Sequence, residues 1–196
     1  GDGDMDVLSA SSTDDKIAWY ENNGSLVVFQ TQTKEELQMA VDLWVDDNAS
    51  ALATYREINT WDVSLITNMF QLFAPIARAG LDELQTNLKT FDDDIGDWKT
   101  SNVTNMSGMF AGLDLFNKDI SQWDTKEVTN MVKMFSNAAV FNQNISNWNV
   151  DNVLDTGFSG MFQGATAMLE EGGGAPQGAP GINAQEGAGD PGSWFQ

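Results

Sequence analysis

The chain writes one sentence three times. "FDDDIGDWKTSNVTNMSGMF" at 91–110, "FNKDISQWDTKEVTNMVKMF" at 116–135 and "FNQNISNWNVDNVLDTGFSGMF" at 141–162 keep Phe, Ile, Trp, Val and Met-Phe while most other letters change. Trp98, Trp123 and Trp148 are 25 residues apart, and so are Phe91, Phe116 and Phe141, Ile95, Ile120 and Ile145, and Val103, Val128 and Val153. Met109-Phe110 and Met134-Phe135 keep the step, whereas Met161-Phe162 comes two residues late, after an insertion in "DTGFSG". An earlier unit, "INTWDVSLITNMFQLF", contains Ile58, Trp61, Ile66, Asn68-Met69 and Leu72-Phe73. Its Trp lies 37 residues before the next, so about twelve extra residues around "PIARAGLDELQTN" are expected to bulge out as a loop or short helix.

A fixed period of this length is the mark of stacked repeats. One 25-residue coil cannot bury its own apolar side. Coils piled on one another can, at about 4.8 Å per coil if strand spacing sets the rise. The retained letters then face inward and the varied ones face water. The expected fold class is an α+β repeat solenoid. Phe, Ile and Trp lie on or beside a short strand, and "NMSGMFAG" or "NMVKMFSN" forms a short helix in each rung. Asn68, Asn105 and Asn130 follow Thr in three units, with Asp155 in the last. This row reads either as a polar ligand row or, more simply, as amides satisfying backbone groups at a turn.

Four zones follow. Residues 1–31 read as short strands at Val7–Ser11, Lys16–Glu21 and Ser25–Gln30, with an Asn-Gly hairpin signal in "ENNGS". Residues 32–57 read as a helical cap, in which Thr33 and Glu36 make a capping box and Leu37, Ala40, Val41, Trp44 and Val45 share one face. Residues 58–169 are the repeat zone, and 170–196 form a Gly/Pro-rich flexible tail that ends in Trp194-Phe195. Those two aromatics read equally as a docking motif or as an arbitrary end.

Composition narrows function. Nine Lys+Arg against 29 Asp+Glu leave a net charge of −20, which both nucleic acid and an anionic membrane surface repel. With no Cys and no His, disulfides, thiolate chemistry, His-based nucleophile pairs and His-based zinc sites are excluded. Carboxylate chemistry survives. Asp92-Asp93-Asp94 is the candidate for it, but the equivalent positions are Asn117-Lys118-Asp119 and Asn142-Gln143-Asn144. So variable a set reads as solvated surface rather than as a glycosidase pair. No apolar run approaches the ~20 residues of a membrane helix. Gly at position 1 is expected to mark a chain that starts after processing or within a longer precursor. Asn-x-Ser/Thr sequons stand at Asn23, Asn48, Asn102, Asn105 and Asn144, most of them as expected by chance in an Asn-rich repeat.

The units at 91–110, 116–135 and 141–162, with "LQMAVDLWVDDNASALATYREINTWDVSLITNMFQLF" ahead of them, resemble the BspA-like leucine-rich-repeat surface proteins over roughly residues 35–168. The resemblance implies irregular leucine-rich-repeat coils, an extracellular or cell-surface location, and adhesion or protein binding rather than catalysis. It supplies no catalytic residues. "GDGDMDVLSASSTDDKIAWYENNG" resembles part of an FG-GAP/VCBS calcium-binding β-propeller repeat. That resemblance implies an incomplete calcium loop at Asp2, Asp4 and Asp6, with calcium as the candidate cofactor.

The expected function is a non-catalytic binding, adhesion or scaffold module whose partner is a protein or glycan. The binding flank is formed by the varied residues Lys99–Asn102, Asp124–Glu127 and Asn149–Asn152. A structural subunit docked in a larger multi-protein assembly is the alternative, and a carboxylate-based glycoside hydrolase a more distant one.

Overall fold

Thr33 opens the first element. In the computed structural model, which describes residues 28–78 and 80–169, its hydroxyl accepts from Glu36 N at 3.2 Å and starts α1 (Lys34–Asp46). The Glu36 carboxylate completes the cap by accepting from Gln32 N at 2.7 Å. α1 buries Leu37, Ala40, Val41 and Trp44. Asp47 ends α1 and accepts from Ser50 N at 3.1 Å, which starts α2 (Asn48–Tyr55). The two helices close one end of the repeat stack. Trp61 of the first coil meets Trp44 at 5.8 Å, Tyr55 at 5.8 Å and Phe29 at 5.3 Å, all edge-on.

Beyond Trp61 the aromatic residues form columns. Trp61, Trp98, Trp123 and Trp148 follow one another at 6.4, 6.5 and 6.3 Å, with planes 18°, 3° and 3° apart. Phe91, Phe116 and Phe141 stack at 6.0 Å. Phe73, Phe110, Phe135 and Phe162 stack at 5.6, 5.4 and 5.5 Å. Ile95, Ile120, Ile145, Val103, Val128 and the paired methionines fill the space between them, fully buried. A buried indole needs a hydrogen-bond acceptor. Trp98 Nε1 donates to Ile58 O at 2.8 Å, Trp123 Nε1 to Ile95 O at 3.1 Å and Trp148 Nε1 to Ile120 O at 3.0 Å. Each indole is thereby tied to the coil before it, which Phe at that position could not achieve.

The expected strand-plus-helix rung is not what the chain builds. Among the described residues there is no strand, only the isolated parallel bridges Gln30–Asp62, Asn68–Asn105 and Asn105–Asn130. The α+β solenoid reading, with its leucine-rich-repeat-like coils, is corrected to a stack of turn-built coils. Short-chain Asp and Asn residues cause the difference, because they hydrogen-bond the backbone two residues on and turn it. Asp94 Oδ1 accepts from Gly96 N, Asp119 Oδ1 from Ser121 N and Asn144 Oδ1 from Ser146 N, at 2.9, 2.9 and 3.0 Å. Asp124 does the same for Lys126 N and Asn149 for Asp151 N. Asn68, Asn105 and Asn130 do it for Phe70, Ser107 and Val132. Two or three such corners per coil leave legs too short for pairing to propagate.

The Met-Phe leg fails as a helix for a second reason. It passes through left-handed backbone at Gln71, Gly108, Lys133 and Gly160 (φ 52, 63, 54 and 65°) and again at Gly112, Asn137 and Gly164 (φ 79, 58 and 75°). A right-handed helix cannot run through such residues. The coils are instead joined N–H to C=O along this leg, as in Phe73 N to Met109 O, Phe110 N to Met134 O and Phe135 N to Met161 O at 3.0, 2.9 and 2.8 Å. Of the expected N-terminal hairpin only residues 28–31 are described; Asp62 N donates to Phe29 O there at 2.8 Å, and Thr31 N to Asp62 O at 3.1 Å.

The inserted residues form a tight turn at Pro75–Arg78 and the helix α3 (Asp82–Lys89), which buries Leu84 and Leu88 against that turn and α1. In the last coil the turn Asp155–Phe158 absorbs the two extra residues. Met131 N donates to Gly157 O, as Met106 N does to Asn130 O, so Gly157 occupies the place held by Asn in earlier coils. A Cβ there would stand 2.8 Å from Val153 Cγ1 and 2.9 Å from Thr129 O. A final turn of helix, α4 (Thr166–Leu169), places Met168 in the core.

Candidate functional site

The coil step carries the varied turn residues onto one edge. Thr100 and Thr125 are buried there, and their hydroxyls donate to Asp124 O at 3.0 Å and Asn149 O at 2.8 Å in the next coil. Asn102 Nδ2 donates to Ser64 O at 2.7 Å and Asn152 Nδ2 to Lys126 O at 2.6 Å in the coil before. Lys99, Asp124, Lys126, Glu127, Asn149 and Asp151 remain exposed along this braced edge. A shallow depression of about 380 Å³ lies along it, bordered by Leu65, Thr67, Asn102, Lys126 and Glu127. Asp124 faces Lys126 at 3.7 Å, so the edge carries both signs of charge. The flank expected from sequence is therefore one contiguous surface, with Thr100 and Thr125 turned inward as braces.

The other sequence candidates separate. Asp2, Asp4 and Asp6, the incomplete calcium loop, lie outside the described residues, as do Asn23 and Trp194-Phe195. Among the described residues no group of three or more acidic side chains is placed to hold a metal ion. No helix among them is long and apolar enough to cross a membrane. Asp92, Asp93 and Asp94 are each engaged separately. Asp92 pairs with Lys118 at 2.9 Å and accepts from Asn117 N at 2.8 Å. Asp93 accepts from the Trp44 indole at 2.9 Å, and Asp94 turns the backbone at Gly96. The Asn68–Asn105–Asn130 row points its side-chain oxygens at its own turns, the simpler of the two roles weighed for it. Of the sequons, Asn48, Asn102, Asn105 and Asn144 all have their side chains in structural hydrogen bonds.

Hydrogen bonding at the corners also shifts charge. The backbone N–H and hydroxyl of Ser121 hold the Asp119 carboxyl below its ordinary value. At Asp62 burial pushes the other way, but bonds from Ser64 and from Gln30, at 2.6 Å, outweigh it and lower the carboxyl. The Lys118 ammonium is raised by its bond to Asp92, with Asp93 and Asp94 nearby.

Two further depressions were not anticipated from sequence. One of about 510 Å³ lies between α1, α2 and the start of the second coil, beside Trp44, Glu57 and Asp93. The other, about 460 Å³, runs between the inserted segment and the Met-Phe legs of the second and third coils. The signal for the latter was the glycine pair in "SGMFAG", Gly108 and Gly112, against Lys133 and Asn137 one period on.

Over residues 79–173, just under half of the chain, the sequence matches the family model described as "Mycoplasma protein of unknown function, DUF285". The matched segment contains α3 and the three coils that begin at Phe91, Phe116 and Phe141. No curated protein matches the chain, and no solved structure does.

Proposed function

We propose that this chain is a non-catalytic recognition module, at a cell surface or outside the cell, that binds a protein partner along the edge formed by Lys99–Asn102, Asp124–Glu127 and Asn149–Asn152. One observation carries the reading. The backbone of this edge is cross-braced by buried Thr hydroxyls and Asn amides, while the side chains between the braces differ from coil to coil and point to water. A rigid frame with freely varied outward residues is how stacked-repeat proteins present binding surfaces. Resemblance of the repeats to BspA-like surface proteins supports the location, and the structural engagement of Asp92, Asp93 and Asp94 supports the absence of catalysis. Calcium at Asp2, Asp4 and Asp6 remains part of the proposal, as a ligand of the segment ahead of the cap.

The test compares the wild-type chain with the double reversal Glu127→Lys and Asp151→Lys, each carrying an affinity tag, in parallel pull-downs from the native source quantified by mass spectrometry. Partners recovered by the wild type are expected to fall at least tenfold with the variant, whose circular dichroism and melting temperature stay unchanged. Undiminished recovery would remove this edge as the interface. Titration calorimetry with calcium, on a chain extended ahead of Gly1, checks the metal, and absence of heat would remove it.

A further inference from the structure

The groove beside the inserted segment is a built feature of the second coil. At both left-handed positions of the third coil a side chain occupies the surface: Lys133 Cγ lies 3.3 Å from where a Cβ on Gly160 would stand, and Asn137 Oδ1 lies over Gly164. The second coil has glycine at both positions, Gly108 and Gly112, with Ala111 between them. At Gly108 the Gln71 side chain lies over the backbone, its Cγ 3.0 Å from where a Cβ would stand. At Gly112 a Cβ would meet only Pro75 Cδ at 3.8 Å, so the floor is open backbone there, walled by Pro75, Ile76 and α3 on one side and by the third coil on the other. Ile76 is 72% exposed at the rim.

The electrostatics of this groove oppose those of the chain. Net charge is −20, yet the described residues that line the groove include no carboxylate. They include Lys89, from the last turn of α3, and Lys133. Lys118 and Lys126 have carboxylate partners at 2.9 and 3.7 Å, whereas neither Lys89 nor Lys133 has one among the described residues. Gln71, Gln85, Ser136 and Asn137 also line the groove, and no aromatic ring does among the described residues.

We propose that this groove binds an acidic peptide segment of another protein. Two ammonium groups without a carboxylate partner among the described residues provide for carboxylates, and Ile76 offers one apolar contact. The lack of an aromatic platform argues against a sugar ring, and about 460 Å³ fits the side chains of a few residues. Open backbone at Gly112 lets an extended segment approach closely, which is what glycine at such a site permits. This site is separate from the Lys99–Asn152 edge and stands or falls independently of it.

The test uses fluorescence anisotropy with three capped, labelled hexapeptides: alternating Glu-Ala, alternating Gln-Ala and alternating Lys-Ala. The full chain is expected to bind the Glu peptide at least tenfold tighter than the Gln peptide, with affinity falling as salt rises, because charge-assisted bonds outweigh neutral ones and are screened. Lys133→Gly is expected to cost about five- to tenfold in affinity. It removes the ammonium while easing a left-handed residue to the glycine that the second coil carries at the equivalent position, so its fold is kept. Gly112→Asn fills the floor with the residue that the third coil carries there. The left-handed backbone (φ 79°) makes any side chain cost some stability, but a Cβ meets only Pro75 Cδ at 3.8 Å, so the variant should abolish binding while circular dichroism still reports the folded chain. Equal affinity for the Glu and Gln peptides, binding untouched by Gly112→Asn, or no binding at millimolar peptide would each overturn the proposal. So would a sulfated oligosaccharide that displaces the Glu peptide and binds more tightly than it.

Discussion

The helical lead-in and the coil stack bury their apolar residues through different periodicities. In α1, Leu37, Ala40, Val41 and Trp44 share a face because residues three and four apart do so on any helix. In the stack, Trp98, Trp123 and Trp148 share a column because each coil returns to its starting point after 25 residues. A helix closes its hydrogen bonds locally. A coil here closes most of them with its neighbours, as Phe110 N to Met134 O and Trp123 Nε1 to Ile95 O show. Damage to the lead-in should therefore remain local, and damage to an inner coil should spread to both sides.

Trp123→Ala tests this most severely. The indole lies between two others at 6.5 and 6.3 Å, and its loss opens a cavity and removes one of the two hydrogen bonds that Ile95 O accepts, leaving the one from Trp98 N. A cost of about 3–5 kcal/mol is expected, read as a fall in the denaturant midpoint. If it cost no more than a cap mutation, the columns would not be the source of stability. Gly157→Ala comes next at about 1–3 kcal/mol, because the new methyl meets Val153 Cγ1 and Thr129 O at under 3 Å. Trp123→Phe keeps most of the ring and removes only the N–H; Ile95 O loses one of its two donors and keeps Trp98 N, for about 0.5–1.5 kcal/mol. Thr33→Ala removes one helix cap, for about 1 kcal/mol. Hydrogen exchange should report that loss in α1 and not in the coils.

The smallest effect concerns pH. Asp62 and Asp119 have folded values below their ordinary one, so their stabilisation is complete above about pH 4 and fades as pH falls through the lowered values. Between neutral pH and that acid range the melting temperature should stay level, and it should decline within it. Asp119→Asn, which imitates Asn144 one coil on, should flatten the decline slightly and leave neutral stability within about 0.5 kcal/mol.

Residue spacing made the stack, the inward aromatic residues and the place of the insertion legible, though not whether it is loop or helix, and the Thr33 box located α1 to within a residue. Strands were expected because Ile, Trp and Val favour them and because parallel coils usually pair that way. What prevailed was the Asp and Asn chemistry at the corners of each coil, a local effect that a 25-residue pattern of apolar letters does not display. The flank was legible as varied letters, but not the Thr hydroxyls that brace it. The groove was harder still. It depends on Gly108 and Gly112 having left-handed backbone, and only the contrast with Lys133 and Asn137 one period on hints at that.

The tryptophan column has an optical consequence. Indoles held nearly parallel at 6.3–6.5 Å couple their transition dipoles, so excitation is shared along the row instead of belonging to one ring. Near-ultraviolet dichroism and depolarised emission from these chromophores give a label-free readout of whether neighbouring turns of the chain remain in register.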